Sequence, residues 1–302
     1  MVGMNNLVAD SGRWGSVVTR RELLAQGYTD RDVLRLRRAG YEALAPGIYG
    51  RSAEIGDDPI VRHRMLAAEL ARRAPIGTAL ARVSAAVAYG LPVWGMDLSR
   101  VHLARDAPGR GSRSSAIARL HRSTTRAVVL RDGTPVQPVA TVVADLARNE
   151  SPRAAVVCAD AALHRGLCDV AAVRAALAAS PRYGRPQALR VLARTDATSR
   201  GVTDSLSRLV FADAGLPESA RYADLTGRSG EPLGRVPFSW PDAAVVGLCG
   251  DAVADFDAAR LLDAGYLTVR WTHTDIVERS TWVVDQLWRA LLHQRPQLQA
   301  VG

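Results

Sequence analysis

Residues 16–50 read SVVTRRELLAQGYTDRDVLRLRRAGYEALAPGIYG, and the punctuation of that stretch decides the fold of the N-terminus. Thr19 and Glu22 form a Thr-x-x-Glu capping box, in which each side chain satisfies the other residue's free backbone N–H. Leu23 and Leu24 supply the apolar stripe of a short helix, which Gly27 ends in a left-handed C-cap. Thr29 caps a second helix, with Asp30 and Asp32 in its first turn beside the positive end of the helix dipole. On that helix Val33 and Leu36 face inward. Arg31, Arg35 and Arg38 recur at i, i+4 and i+7 on one outer face, with Arg37 beside it. Gly40 stops the helix, and Tyr41–Leu44 and Ile48–Tyr49, separated by Ala45-Pro46-Gly47, pair as a hairpin. Helix, turn, arginine-bearing helix and two-stranded wing is how a winged helix-turn-helix presents one helix to the major groove of double-stranded DNA. The bland alternative is a solvated helix pair in an arginine-rich chain.

The charge distribution favours the first reading. All 39 residues counted as Lys or Arg are arginine, and arginine richness of that kind follows in part from a high-GC genome. Such a bias acts on both halves alike, yet residues 1–150 hold 22 Arg against 14 acids, and residues 151–302 hold 17 against 16. The asymmetry points to an anionic partner for the N-terminal half. A second basic cluster lies between residues 100 and 131, with eight Arg and one acid, Asp106. Within it Val101–Leu103 and Ala116–His121 alternate like strands around a Gly- and Ser-rich loop at 105–115, an arginine-bearing hairpin suited to tracking phosphates. An exposed hairpin with no partner is the alternative.

Length and composition allow two or three domains, and the expected class is an α+β multidomain chain. Residues 1–55 read as the winged helix-turn-helix and 56–195 as a mixed α/β middle domain with the basic hairpin. Residues 196–302 read as a small α/β domain. Ile60–Arg73 is an amphipathic helix expected to continue into a second at Ala79–Tyr89, after the polar linker Arg51–Asp58. Val139–Arg148, Ala154–Arg165 and Val170–Ala179 follow as short helices, with a helical turn at Leu189–Leu192. The last domain is expected as a helix at Asp204–Ala214, strands at Leu233–Trp240, Ala243–Leu248 and Leu267–Thr272, and a closing helix at Asp275–Leu292. Three cysteines, none in a CxxC pair, exclude a disulfide framework and read as small buried hydrophobes. No apolar run approaches the roughly 20 residues of a membrane span, and no signal pattern opens the chain, so a cytoplasmic protein without a membrane partner is expected.

Most of residues 15–290 resembles a large family of actinobacterial proteins with an AbiEi-type antitoxin winged helix at the N-terminus and a very-short-patch-repair-type endonuclease domain at the C-terminus. The matching segments begin with Val18-Thr19-Arg20-Arg21-Glu22-Leu23, then Gly40 and Pro46-Gly47-Ile48-Tyr49. Ser84-Ala85-Ala86, Gly90-Leu91, Gly133-Thr134-Pro135-Val136 and Asp145-Leu146 continue the order. Ala214-Gly215-Leu216-Pro217, Phe238-Ser239-Trp240-Pro241, Ala264-Gly265-Tyr266 and Val269-Arg270-Trp271 complete it. The resemblance implies a transcriptional regulator or antitoxin of the type IV toxin–antitoxin kind that represses its own promoter. A cognate toxin and a second copy of the chain are candidate protein partners for the middle domain and the near-neutral C-terminal half.

The nuclease-like tail departs from the family pattern. Active relatives carry an aspartate on the strand ending in Phe-x-Trp-Pro and a Glu-x-Asp-Gly on the next, carboxylates that hold a catalytic divalent metal. Here those positions match Pro237 and Gly247-Leu248-Cys249-Gly250, leaving Asp204 alone, and no lysine exists to complete a PD-(D/E)xK set. The expectation is a degenerate restriction-endonuclease-like fold, with Asp251, Asp255 and Asp257 as the alternative source of a rebuilt site. No phosphate loop, HExxH or GxSxG is present, and nothing in the sequence fixes Ser84 and His102 as partners. The chain is therefore read as a non-enzyme with no metal or cofactor. Its expected DNA contacts are Arg20, Arg21, Thr29, Arg31, Arg35, Arg37, Arg38, Arg105, Arg110 and Arg113. A metal-dependent endonuclease and a protein-interaction module are the competing functions.

Overall fold

A computed structural model describes residues 16–106, 113–123, 125–250 and 256–299. Among them the chain forms thirteen α-helical segments and three β-sheets, a mixed α+β architecture. Contacts divide it into two units, Met1–Ser151 with Cys168–Ala188 and Pro152–Leu167 with Leu189–Gly302.

The first unit begins at β1 (Val17–Thr19) and α1 (Arg20–Ala25), joined by Thr19. Its hydroxyl accepts from the Glu22 amide while the Glu22 carboxylate accepts from the Thr19 amide. Gly27 follows at φ +87°, the left-handed position that favours glycine. Thr29 builds an equivalent box with Asp32 at the start of α2 (Asp30–Val33). The continuous helix expected through Arg38 does not form. After one α-turn the chain passes Leu34, 82% exposed, and tightens into a 3-10 turn at Leu36–Ala39. Three residues per turn put Leu36 and Ala39 on one side, and both pack with Val18, Leu23, Val33 and Tyr41. The spacing that would have aligned Arg31, Arg35 and Arg38 on one α-helical face is thereby lost.

The hairpin of β2 (Tyr41–Ala45) and β3 (Ile48–Arg51) turns at Gly47, φ +75°, and β1 joins it to give the order β1-β3-β2. A short α3 (Ser52–Ile55) replaces the expected linker, and α4 (Pro59–Arg73) carries the sheet's apolar face. Leu44, Ala45, Ile48 and Ile55 pack there with Met65, Leu66, Leu70 and also Ile117. Arg72 and Arg73 both reach Glu22 and Glu69, and Arg62 meets Glu42 at 2.6 Å, so charge as well as apolar area fastens the N-terminal elements to α4.

The expected helix 79–89 is instead β4 (Thr78–Leu80) and α5 (Arg82–Ala88), which Arg82 opens at φ +50°. An L side chain there is strained. Strands β5 (Val101–Arg105), β6 (Arg113–Ser114), β7 (Ala118–Arg122), β8 (Val129–Arg131) and β9 (Thr134–Val136) complete a sheet of order β6-β7-β5-β4-β9-β8. The arginine-bearing strands do not form the expected hairpin. β5 and β7 run parallel, and the antiparallel neighbour of β7 is β6. Helices α6 (Val139–Asn149) and α8 (Val170–Ala179) pack together beyond the sheet. Between them in sequence, α7 (Pro152–His164) belongs to the second unit, and α9 (Arg185–Ala193) crosses the division.

In the second unit α7 packs on α10 (Val202–Asp213), pinned by Asp160. Its buried carboxylate accepts from the Asp196 amide at 2.7 Å and from the Ser205 hydroxyl and Arg208 guanidinium at 2.8 Å. Burial still pushes its pKa up, against the pull of Arg208. A sheet of β10 (Ala220–Thr226), β11 (Pro232–Trp240), β12 (Val245–Cys249) and β13 (Leu267–Trp271) follows, antiparallel except for the parallel β12–β13 pair. The sequence reading lacked β10 and α11 (Ala258–Asp263), and its single closing helix is two, α12 (His273–Glu278) and α13 (Ser280–Gln299). Phe211, Phe238, Trp240 and Trp271 form the aromatic core, and the Trp271 indole donates to Ser207 at 2.7 Å. No helix among the described residues is long and apolar enough to cross a membrane.

Candidate nucleic-acid interface

The two capping boxes settle which side chains of the N-terminal elements are free. Thr29 is spent on its cap, its hydroxyl donating to Asp32 at 2.6 Å. Arg20 reaches across to α2 and clasps Asp30 with Nε at 2.8 Å and Nη2 at 2.9 Å, a bidentate pair on the surface. Asp30 holds the Arg20 guanidinium above its ordinary pKa, and Arg20 holds the Asp30 carboxyl below the usual carboxylate range. Arg35 is half-buried and 3.9 Å from Asp32, a weak contact. Arg21, Arg31 and Arg38 are exposed, and no acid among the described residues lies within ion-pair distance of them. The Arg37 side chain and all of Arg110 lie outside the described residues.

Arg105 sits on β5 opposite Arg122 of β7, and Arg113 sits on β6 opposite Leu120. The Arg105 side chain is half-buried, with a buried Nε that has no partner among the described residues. The Arg113 side chain lies outside the description. Arg119 and Arg122 lie on β7, and Arg100, just before β5, donates to Ser114 of β6 at 3.2 Å. Sequence position alone did not select Arg119 and Arg122 from this cluster; both are exposed on β7. Ile117, the residue before β7, packs against the apolar core of the β2–β3 hairpin. The second basic segment is thus tied through Ile117 to the hairpin that follows Arg31 and Arg38, more than 60 residues earlier in sequence.

Ser84 and His102 are indeed held together, though without catalytic geometry. The Ser84 hydroxyl accepts the His102 amide at 2.8 Å and lies 2.8 Å from His63 Nε2. The Leu98 carbonyl, 2.9 Å from His63 Nδ1, can only accept, so Nδ1 carries the proton and Ser84 donates to Nε2. Ser84 is fully buried and both its roles are taken. This is a structural pin between α4, α5 and β5. Beside it His102 Nδ1 and His121 Nε2 are 3.2 Å apart. Burial first, then nearby Arg82, lowers both pKa values, to about 4 for His102 and about 3 for His121.

In the second unit packing fills the space beside Gly247 and Cys249. A Cβ at Gly247 would come 2.6 Å from the Trp271 ring and 3.0 Å from Phe238, so no acidic side chain fits that strand position. Cys249 is buried, its thiol pushed up to about 12 by burial and by Asp204. Asp204 itself is buried, with Oδ1 paired to Arg221 and Oδ2 accepting from the Arg200 amide at 2.9 Å and the Tyr222 hydroxyl at 2.5 Å. Among the described residues no group of three His, Cys, Asp or Glu side chains could hold a metal. Asp251 and Asp255 lie outside the description, and Asp257 is spent as the N-cap of α11.

No protein-family model matches this chain, and no curated protein is recognisably similar to it. Among solved structures, the RV2827C protein from Mycobacterium tuberculosis is similar, with a TM-score of 0.40 and 16% identity. The likeness covers 74% of this chain and 87% of that one.

Proposed function

We propose that this chain is a DNA-binding transcriptional regulator of the AbiEi antitoxin kind, acting on its own promoter through a winged helix-turn-helix at residues 16–51. The observation that carries the reading is a set of exposed arginines around a hairpin that packs against the start of a second arginine-bearing strand. Arg21, Arg31 and Arg38 stand exposed beside a hairpin whose apolar core is completed by Ile117, and Ile117 leads into the strand bearing Arg119 and Arg122. In this reading the turn around Arg31 and Arg35 approaches base edges, and the β7 arginines position the DNA backbone. Arg20 serves a different end: its clasp on Asp30 holds α1 and α2 in register. A cognate toxin is the protein partner this reading implies.

The test is a mobility-shift titration of the full chain on the DNA upstream of its own gene, across a salt series. Arg31→Ala is expected to cost about 1–3 kcal/mol and to relax sequence preference, whereas Arg122→Ala weakens all sequences alike and reduces the salt slope by about 1. A chain that gives no salt-dependent shift on that DNA sinks the proposal. Endonuclease activity is the weaker reading, because both oxygens of Asp204 are already engaged and its strand neighbours offer no carboxylate.

A further inference from the structure

A cavity of about 640 Å³ opens in the second unit at the place where the family pattern would put its metal. It is walled by the first turn of α10, by Tyr222 and Pro237 on the neighbouring strands, by Cys249 and Gly250, and by the start of α12. Its volume lies within the roughly 300–1,000 Å³ typical of small-molecule sites. Asp204 is the sole acid among the described lining residues, and it faces inward to Arg221 rather than into an empty coordination sphere. Tyr222 has φ +48°, which breaks the strand alternation and lets the consecutive side chains of Arg221 and Tyr222 both reach Asp204. The carboxylate is neutralised as a result, and a divalent cation would have to displace a guanidinium to bind there.

The remaining polar groups are of the opposite kind. Arg200 lies over the Tyr222 ring, 4.0 Å from its centroid, with no acid within ion-pair distance among the described residues. A guanidinium held by an aromatic face keeps its in-plane N–H donors for another acceptor. His273 Nδ1, at the start of α12, meets the Thr203 hydroxyl at 3.1 Å, which leaves Nε2 without a partner among the described residues. Arg235 adds a cation at the rim, where it is paired with Asp224. The amides of Val202 and Thr203 begin α10 behind Gly201, which gives no side-chain cap. A tetrahedral oxyanion is the ligand that uses a guanidinium fork, an imidazole edge and a hydroxyl together.

We propose that this cavity binds a phosphate monoester without a metal, through Arg200 and His273, the phosphate coming either from a mononucleotide or from the 5′ end of a DNA strand. The site is independent of the N-terminal DNA contacts and stands or falls separately from them. The test uses the full chain in the presence of a chelator, titrated calorimetrically with inorganic phosphate, adenosine monophosphate and adenosine. Phosphate and the monophosphate are expected to bind and adenosine is not. Arg200→Ala and His273→Ala are each expected to weaken binding about tenfold, as loss of a charge-assisted contact does. The second variant, on a different element, keeps the test valid if the first unfolds. A preference for a 5′-phosphorylated duplex over its 5′-hydroxyl twin supports a DNA end as the source. Equal duplex binding with retained monophosphate binding supports the free nucleotide. No binding by the unaltered chain, equal binding in both variants, or binding only after magnesium is added overturns the proposal.

Discussion

Replacing Asp204 by alanine is expected to destabilise the second unit by about 3–5 kcal/mol, the usual cost of stripping one partner from a buried ion pair. Arg221 would be left with its guanidinium over the Phe238 ring, 3.9 Å from the centroid, and with buried Nε and Nη1 that already have no partner among the described residues. The Tyr222 hydroxyl and the Arg200 amide would lose their acceptor as well. Adding Arg221→Met should recover most of the loss, because replacing both charges by apolar volume is often neutral or better. Hydrogen exchange of peptides spanning 202–249 reads the effect locally, so it does not depend on the two units unfolding together. A catalytic carboxylate makes the opposite forecast: its removal would abolish metal-dependent nicking and leave exchange protection unchanged. The two outcomes separate a structural aspartate from a surviving nuclease residue.

The features legible in the sequence are those written in a few adjacent residues. Thr19 with Glu22, Thr29 with Asp32, and Gly47 in the hairpin turn each satisfy backbone groups within one turn of chain, and each stands where the sequence put it. Beyond that range the reading fails for identifiable reasons. The arginine spacing over 31–38 fits an α-helix, but Leu36, Ala39 and Tyr41 must all join Val18 and Leu23, and the chain tightens to deliver them. Thr78–Leu80 is buried on both faces, so it shows no strand alternation, and the left-handed Arg82 that opens the following helix carries no glycine signature. The parallel pairing of β5 with β7 depends on a crossover that local pattern cannot express.

The candidate site divides along the same line. Exposed arginines were legible as charge, whereas their partners were not. Nothing in the spacing of Arg20 and Asp30 announces a bidentate clasp, yet that clasp removes Arg20 from the free donors and leaves Arg31 in its place. That Gly247 and Cys249 carry no carboxylate was legible from the residue types alone. That Trp271 fills the space above Gly247, and that Arg221 and Tyr222 engage Asp204, required the folded chain.

Acidification should destabilise the first unit through its buried histidines. His63, His102 and His121 all have folded pKa values below the ordinary 6.5, the last two at about 4 and about 3. The unfolded chain therefore binds more protons across that interval. The stability these groups supply is complete above about pH 6.5 and is lost as pH falls through the folded values. Arg82 and Arg119 oppose charging of the pair, Asp97 favours it, and a proton shared along the 3.2 Å contact prevents both rings from ionising independently. Discounted for that coupling and for partial solvent exposure, the pair should account for on the order of 2 kcal/mol. Asp145 and Glu150 act in the opposite sense, since burial raises their pKa values and their contribution is lost as pH rises through them. The histidine share is therefore read as a difference: denaturant stability of the first unit from pH 7 to pH 4, for the chain and for His121→Gln. The variant keeps a hydrogen-bonding group against His102 but cannot titrate, so its acid limb should be shallower. Parallel limbs would mean that the pair is solvated well enough to charge at no cost, and that the sheet carrying Arg119 and Arg122 is open to water on its histidine face.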